Sequence, residues 1–417
     1  MGGQKDKKSK VLIIGGGISG ISSALLLSRM GVETYLVEKG HFVGGHSAQL
    51  ACKATDQCLE CNGCLVEDQL RELHDNGDFP IYIRSTIKEI KKEGEFFVAK
   101  ISIAPEILVS EKCTGCGICY KECPEKGAAL MRSPSHLIEP WFSIEPENCT
   151  CFGYGIDPIC KKVCPEGAID FEKVSSLVEL KFNAMIIATG YEPFDPVNIE
   201  RFNFNRIPNM ITAMELERMI RFEGGPIRPS DNKAPCRIAF IQCVGSRNSI
   251  IKRDYCSRVC CGYGIRMAIR LAYDDPKKEI AIFYMDIQDH GKGFERLKTI
   301  AEAQGIEFIR SMPGEFFNLA SGDVLVHYYD GSNRMIVSRE FNMIILSVGI
   351  SPQDSFSSLY KSIGILTDED GFMKQDESLL KSGVALAGCV LGPMDVSESI
   401  ASARRAVSEI LSYLRIK

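Results

Sequence analysis

The chain of 417 residues is long enough for two or three domains, and a hydrophobic fraction of 45% gives each of them material for a core. Its formal net charge of -5 is small, which excludes a strongly basic nucleic-acid binder and gives no basis for an anionic membrane surface as the main partner. Eighteen cysteines are the anomaly; in a long chain that opens "MGGQKDKKSK" with no apolar leader behind it, the expectation is reduced thiols in the cytoplasm, acting as metal ligands or redox groups rather than as a secreted disulfide framework.

The first predicted unit is "VLIIGGGISGISSALLLSRMG": a buried parallel strand over Val11 to Ile14, a tight turn, then a helix whose Ala and Leu residues pack on the sheet. The uncharged run from Val11 to Ser28 has the 18-residue length of a short membrane span, but its glycines and serines are placed for a turn. Gly15, Gly17 and Gly20 have the G-x-G-x-x-G spacing, in which the first allows the turn, the second lets a pyrophosphate approach the backbone, and the third permits close helix packing. The helix N-terminus would then face the phosphates. The next strand, "ETYLVE", ends at Glu38, where a carboxylate accepts ribose hydroxyls, with Lys39 beside it as a further candidate contact. In "KGHFVGG", Gly44 and Gly45 resemble the second glycine pair of flavoproteins built from two dinucleotide-binding domains, and that resemblance implies FAD rather than NAD.

Four cysteine sets follow. "CKATDQCLECNGC" supplies Cys52, Cys58, Cys61 and Cys64; two x2 steps fit a cubane cluster, and a redox dithiol stays open as the alternative, since disulfide reductases place theirs at a similar position. "KCTGCGICYKECPE" gives Cys113, Cys116, Cys119 and Cys123 before a proline, the C-x2-C-x2-C-x3-C-P run of bacterial ferredoxins, which zinc would not require. "NCTCFGYGIDPICKKVCPEGAI" keeps the end of that run and opens irregularly, with Cys149, Cys151, Cys160 and Cys164. Because the cysteine before proline serves the other cluster in two-cluster ferredoxins, Cys113, Cys116, Cys119 and Cys164 are assigned to one cluster and Cys123, Cys149, Cys151 and Cys160 to its neighbour. A neighbour with three ligands, leaving Cys149 or Cys151 free, is the alternative.

Beyond the insert, "FNAMIIATGYEP" resembles the second strand-and-turn signature of the same flavoproteins, with Ala188, Thr189 and Gly190 at the turn. The polar stretch 222–235, "FEGGPIRPSDNKAP", reads as a loop, either a connector or a partner surface. Strand "RIAFIQ" should lead into a second phosphate cradle. It leads instead to "CVGSRN", with Cys243 at the first glycine position and Asn248 at the third, and Cys256, Cys260 and Cys261 follow at the start of a helical run. Adjacent cysteines at a helix N-terminus can both project toward a cluster whose negative charge the dipole offsets; buried small side chains are the alternative. "VALAGCVLGPMDVSESIASARRA" resembles the C-terminal flavin segment, but Cys389 follows Gly388 where thioredoxin reductase-like enzymes have Asp, and cysteine is a poor acceptor. The helix expected from about Val396 would aim its N-terminal dipole at the flavin.

Together "QCVGSRN", "RDYCSRVCCGYGIRMAI", "YMDIQDHGKGFE", "GCVLGPMDVSESIA" and the inserted ferredoxin resemble the A-subunit family of heterodisulfide reductase and its bacterial relatives. The resemblance implies an α/β fold: a thioredoxin reductase-like flavoprotein with two dinucleotide-binding domains and an inserted two-cluster ferredoxin domain. The expected spans are 1–110, 173–200 and 353–417 for the FAD domain, 111–172 for the insert, and 201–352 for the second α/β domain. It also implies FAD, about four [4Fe-4S] clusters, and an electron-transfer role within a larger oxidoreductase. Partners would be heterodisulfide reductase B/C-like, hydrogenase, formate dehydrogenase or aromatic-ring reductase subunits, or ferredoxin. In that family the flavin is a branch point for electron bifurcation, but the spacing over 52–64 departs from the methanogen pattern. Rival readings are a self-contained NAD(P)H oxidoreductase and a passive iron–sulfur wire or docking scaffold with structural FAD.

Overall fold

The computed structural model describes residues 9–415 apart from 126, 154, 155, 157, 289–292 and 354–356, so part of the "YMDIQDHGKGFE" motif lies outside the described residues. Its first sheet explains why the opening strand is apolar without interruption. Five parallel strands stand in the order Val384–Leu386, Ala184–Ile187, Lys10–Ile14, Glu33–Val37 and Ile81–Tyr82, so three distant stretches of chain build one sheet. Val11 and Ile13 pack with Ala24 and Leu27 of helix Ile18–Arg29 and with Ala406 and Ile410 of helix Val396–Leu414. Leu12 and Ile14 face the other way, onto Ile87, Phe97, Ile101 and Phe182. A parallel strand covered on both faces needs hydrophobic residues at every position. The 18-residue uncharged run is therefore strand, turn and helix, and among the described residues no helix is long and apolar enough to cross a membrane.

The second layer of this unit is an antiparallel meander, Ser85–Glu93, Phe96–Ile103 and Ser176–Phe182. The chain leaves it after Ile103 to form the cysteine-rich insert and returns at Ser176, so the insertion interrupts a surface connection, where extra chain costs the sheet nothing. The insert has a small core of its own, in which Leu130, Phe142 and Ile144 of a two-stranded ribbon surround Cys119 and Cys160. Ile107 and Leu108 belong to that core, and Leu108 bridges Ile169, so its packing begins a few residues ahead of the expected start at 111.

The second α/β unit carries parallel strands in the order Met210–Thr212, Met343–Val348, Arg237–Val244, Glu279–Phe283 and Glu307–Ile309. Helices Ala213–Glu223, Cys260–Asp274 and Phe294–Ala303 cover one face. A three-stranded antiparallel sheet covers the other through Phe316, Val324, Val326 and Phe341. The stretch 222–235 is tied down within this unit: the buried Arg228 donates to Asp323 Oδ1 at 3.0 Å and pairs with Asp231. The chain enters and leaves the unit through a short antiparallel pair, Glu192–Pro193 with Ile350–Ser351.

Candidate cofactor and cluster sites

Between the two α/β units lies a cleft of about 1660 Å³, and the residues of the first glycine loop line it. Gly15 has φ +107°, and a Cβ there would stand 2.4 Å from the Ala188 carbonyl oxygen. At Gly20 a Cβ would meet the Gly15 oxygen at 1.8 Å, whereas at Gly17 it would point into open space. Two glycines thus let the backbone close on itself and the third leaves room for a ligand. The second glycine pair docks on the first loop: Gly44 N donates to Gly16 O at 2.7 Å, and Gly17 and Gly44 form a bridge. This is a cradle of the shape a dinucleotide pyrophosphate requires. Gly20→Ala should reduce bound flavin about tenfold, the equivalent of about 1.4 kcal/mol and within the usual cost of overpacking, measured as flavin released by acid precipitation of the purified chain.

Glu38 accepts the amides of Gly16 and Gly40 at 2.5 Å each, so its carboxylate is fixed against the loop. Burial raises its pKa while the two amides oppose that shift. The Lys39 side chain is exposed and lines a separate hollow beside strand Ser85–Glu93, while its charge lies within electrostatic reach of Glu38. His41 and Gly40 line the cleft at that level instead. Ala188, Thr189, Gly190, Cys389 and Val396 line it as expected, together with Gly45. Gly388 is fixed from behind, its N–H donating to Ser402 Oγ at 3.0 Å. The buried Cys389 turns its thiol to the Met394 carbonyl at 3.5 Å. The N-terminus of helix Val396–Leu414, closed by a capping box between Asp395 and Glu398, faces the cleft beside it.

The cysteines of the insert lie in two neighbourhoods. Cys113, Cys116, Cys119 and Cys164 line one small cavity in the insert, and burial pushes the Cys119 thiol up to about 11. Cys123 lies within electrostatic reach of Cys149 and Cys151, and Cys160 within reach of Cys123 and Cys149, with burial driving Cys160 up to about 12. In the second unit, strand Arg237–Val244 breaks register between Ile241 and Val244, and Cys243 takes φ +57° in that bulge. The bulge re-aims its thiol toward Cys256, Cys260 and Cys261, all within electrostatic reach of one another. Cys260 and Cys261 open helix Cys260–Asp274, whereas Cys256 sits in the loop before it. Burial holds Cys243 up to about 12 and Cys260 higher still.

A thiol so deeply buried forms thiolate only with a strong positive partner such as iron. Among the described residues no three His, Cys, Asp or Glu side chains close on a single-ion site.

Cys58, Cys61 and Cys64 line the large cleft itself; Cys52 is exposed and adjoins Lys53, which lines the cleft too. The segment that carries them is gripped by groups the sequence did not single out. Glu217 Oε2 accepts the Ala51 amide at 2.8 Å, and Lys53, 2% exposed, donates to the Ala51 carbonyl at 3.0 Å and pairs with Glu217 at 2.5 Å. Lys53→Met would leave the Glu217 carboxylate buried without its counter-ion, so an expected loss of about 3–5 kcal/mol should appear in the urea midpoint. Tyr191 and Tyr263 also line the cleft, and burial pushes both phenols up. Tyr191 follows directly on the Gly190 turn; Lys53 beside Cys52 was the only local signal for the charged pair.

Residues 10–108 match the family model described as FAD dependent oxidoreductase, and residues 107–126 match the one described as 4Fe-4S binding domain. The chain is 33% identical to the A subunit of the H(2):CoB-CoM heterodisulfide,ferredoxin reductase of Methanothermobacter marburgensis, over 96% of this chain and 63% of that protein. It is 34% identical to the second iron-sulfur A subunit of the CoB--CoM heterodisulfide reductase of Methanopyrus kandleri, over 98% of this chain and 65% of that one. It thus spans a little under two thirds of these relatives. Among solved structures, Lactococcus lactis thioredoxin reductase matches with a TM-score of 0.54 at 14% identity, covering 98% of this chain and 99% of that chain. The Escherichia coli flavoprotein disulfide reductase RclA, in its Cu(II) complex, matches at 0.53 and 13%, covering 97% and 71%. The two structural likenesses show the fold: two dinucleotide-binding domains of thioredoxin reductase type.

Proposed function

Because the chain belongs to the A-subunit family of heterodisulfide reductase over the span it shares with those relatives, we propose that it is the electron-transfer component of a larger oxidoreductase, moving electrons between FAD in the large cleft and iron–sulfur clusters on the four cysteine sets. The observation that carries this is the cleft: the FAD cradle and Cys58, Cys61 and Cys64 line the same cavity, and the helix bearing Cys260 and Cys261 forms its far wall through Gly262 and Tyr263. FAD exchanges electrons singly or in pairs, and each [4Fe-4S] cluster carries one.

The chain's own residues do the rest. The glycine loops and Glu38 hold the dinucleotide; Cys113, Cys116, Cys119 and Cys164 hold one cluster of the insert, and Cys123, Cys149, Cys151 and Cys160 the other. Cys243, Cys256, Cys260 and Cys261 hold a third, and Cys52, Cys58, Cys61 and Cys64 a fourth. Burial of Cys243, Cys260 and Cys261 keeps water from that set, while the exposed Cys116 brings the insert's set to the surface, where a partner's carrier can approach. Partners are redox proteins of the heterodisulfide reductase B/C, hydrogenase, formate dehydrogenase or aromatic-ring reductase kind, in the cytoplasm. Anaerobic purification from native cells is expected to recover FAD, about sixteen iron and sixteen sulfide per chain, and a co-eluting redox protein. Elution of the chain alone, with zinc in place of iron, would refute the proposal.

A further inference from the structure

Helix Cys260–Asp274 does two jobs along its length. Its first turn presents Cys260 and Cys261 to one cysteine set, and two turns later Arg266 and Arg270 reach the backbone that carries another. Arg266 Nε donates to the Leu59 carbonyl at 2.6 Å, and Arg270 donates to the Ala54 carbonyl at 2.6 Å. Leu59 lies between Cys58 and Cys61, and these two thiols, with Glu60 and Asp395, lie within electrostatic reach of the Arg266 guanidinium. Arg266 also lines the flavin cleft alongside Cys58, Cys61 and Cys64. The guanidinium space is tightly defined: a Cβ on Gly262 would meet an Arg266 terminal nitrogen at 2.7 Å. By contrast Arg270 donates to Asp274 at 2.8 Å, and Arg296 donates to the Gln57 side chain at 2.5 Å.

We propose that Arg266 is a positioning residue for the Cys52–Cys64 set, fixing the Leu59 carbonyl and placing one positive charge beside that set at the wall of the cleft, so that it raises the set's reduction potential. The inference rests on the proposal that these four cysteines bind a cluster. Reduction adds one negative charge to a thiolate-ligated cluster, and a half-buried guanidinium stabilises the reduced form more than the oxidised form. A neutral residue at 266 must lower the potential.

The test is a redox titration of the anaerobic, cluster-loaded chain followed by electron paramagnetic resonance, with the signal of this set identified as the one lost in Cys61→Ala. Arg266→Gln should shift the midpoint of that signal downward by about tenfold in the one-electron equilibrium, or about 59 mV, leaving iron content and flavin absorbance unchanged. Arg266→Lys, which keeps the charge, should stay near the parent value, and Arg270→Gln should not move it. Arg266→Met replaces Arg266→Gln should that chain fail to load flavin. An unmoved midpoint in the neutral variant, or an equal shift in Arg266→Lys, overturns the role of Arg266 alone. Iron and sulfide unchanged in Cys61→Ala overturn the cluster assignment, and the inference with it.

Discussion

Cys260→Ala should remove about four iron and four acid-labile sulfide per chain while FAD stays bound at parent stoichiometry. Cys260 begins the helix at the far wall of the cleft, is 6% exposed, and lies within electrostatic reach of Cys261, Cys243 and Cys256. Truncating it deprives a four-iron cluster of a ligand at a place where water cannot easily serve as substitute. The glycine loops that cradle the flavin belong to the other α/β unit, so the flavin site has no reason to collapse. Cys243→Ala should give the same loss, because the bulge that turns residue 243 toward the helix has no other side chain to offer. The alternative carried from the sequence, that these are small apolar fillers, makes the opposite forecast. A buried Cys→Ala change in a packed core would then cost stability modestly and leave iron content untouched. Anaerobic iron and sulfide analysis beside flavin quantification separates the two.

The parts of this molecule that local pattern could report were those set by neighbouring residues. The apolar run Val11–Ile14 announced a buried strand, and the ferredoxin cysteines marked the insert that interrupts the first α/β unit. The proline-adjacent cysteines carried their crossed pairing in their spacing, and the structure gathers Cys164 with Cys113, Cys116 and Cys119 around one cavity. What stayed hidden depended on partners far away in the chain. Arg221 holds the Leu50 carbonyl at 2.9 Å across 171 positions, and Arg270 holds Ala54 across 216, contacts that no periodicity or propensity encodes. Likewise the position of Cys243 at a lost glycine was visible, whereas the bulge that gives the lost glycine's positive φ to a cysteine was not.

NADH and NADPH should not bleach the flavin of this chain above the rate of a buffer control, whereas a reduced low-potential ferredoxin should do so within the stopped-flow mixing range. The second unit has the parallel sheet of a nucleotide-binding domain, yet the end of its central strand is filled. Gly245, which survives from the phosphate-binding spacing, is packed on Phe194 so closely that a Cβ would stand 2.0 Å from the ring. The remaining rival rests on Arg247, Arg253 and Arg258, three cations that could hold a pyrophosphate without glycines. Each is already engaged. Arg247 is paired with Asp286 through both terminal nitrogens. Arg253 donates to Ser351 Oγ at 2.5 Å and to Tyr255 Oη at 3.1 Å, and lies 5.1 Å from the Phe194 ring centroid. Arg258 is committed to Glu398 at 2.7 Å and to the Pro393 carbonyl at 3.1 Å, which ties the loop of Cys256 to the helix at the flavin cleft. A dinucleotide would have to break these contacts and displace Phe194 before its phosphates met any free donor, and charge-assisted hydrogen bonds are worth roughly 1.5–3 kcal/mol each. Rapid bleaching by NADH that is lost in Arg247→Gln or Arg253→Gln, and kept in Cys256→Ala, would return this segment to pyridine-nucleotide binding. Bleaching by reduced ferredoxin that is slowed by Cys256→Ala and indifferent to NADH places the electron entry on the cysteines that stand where the second cradle would be.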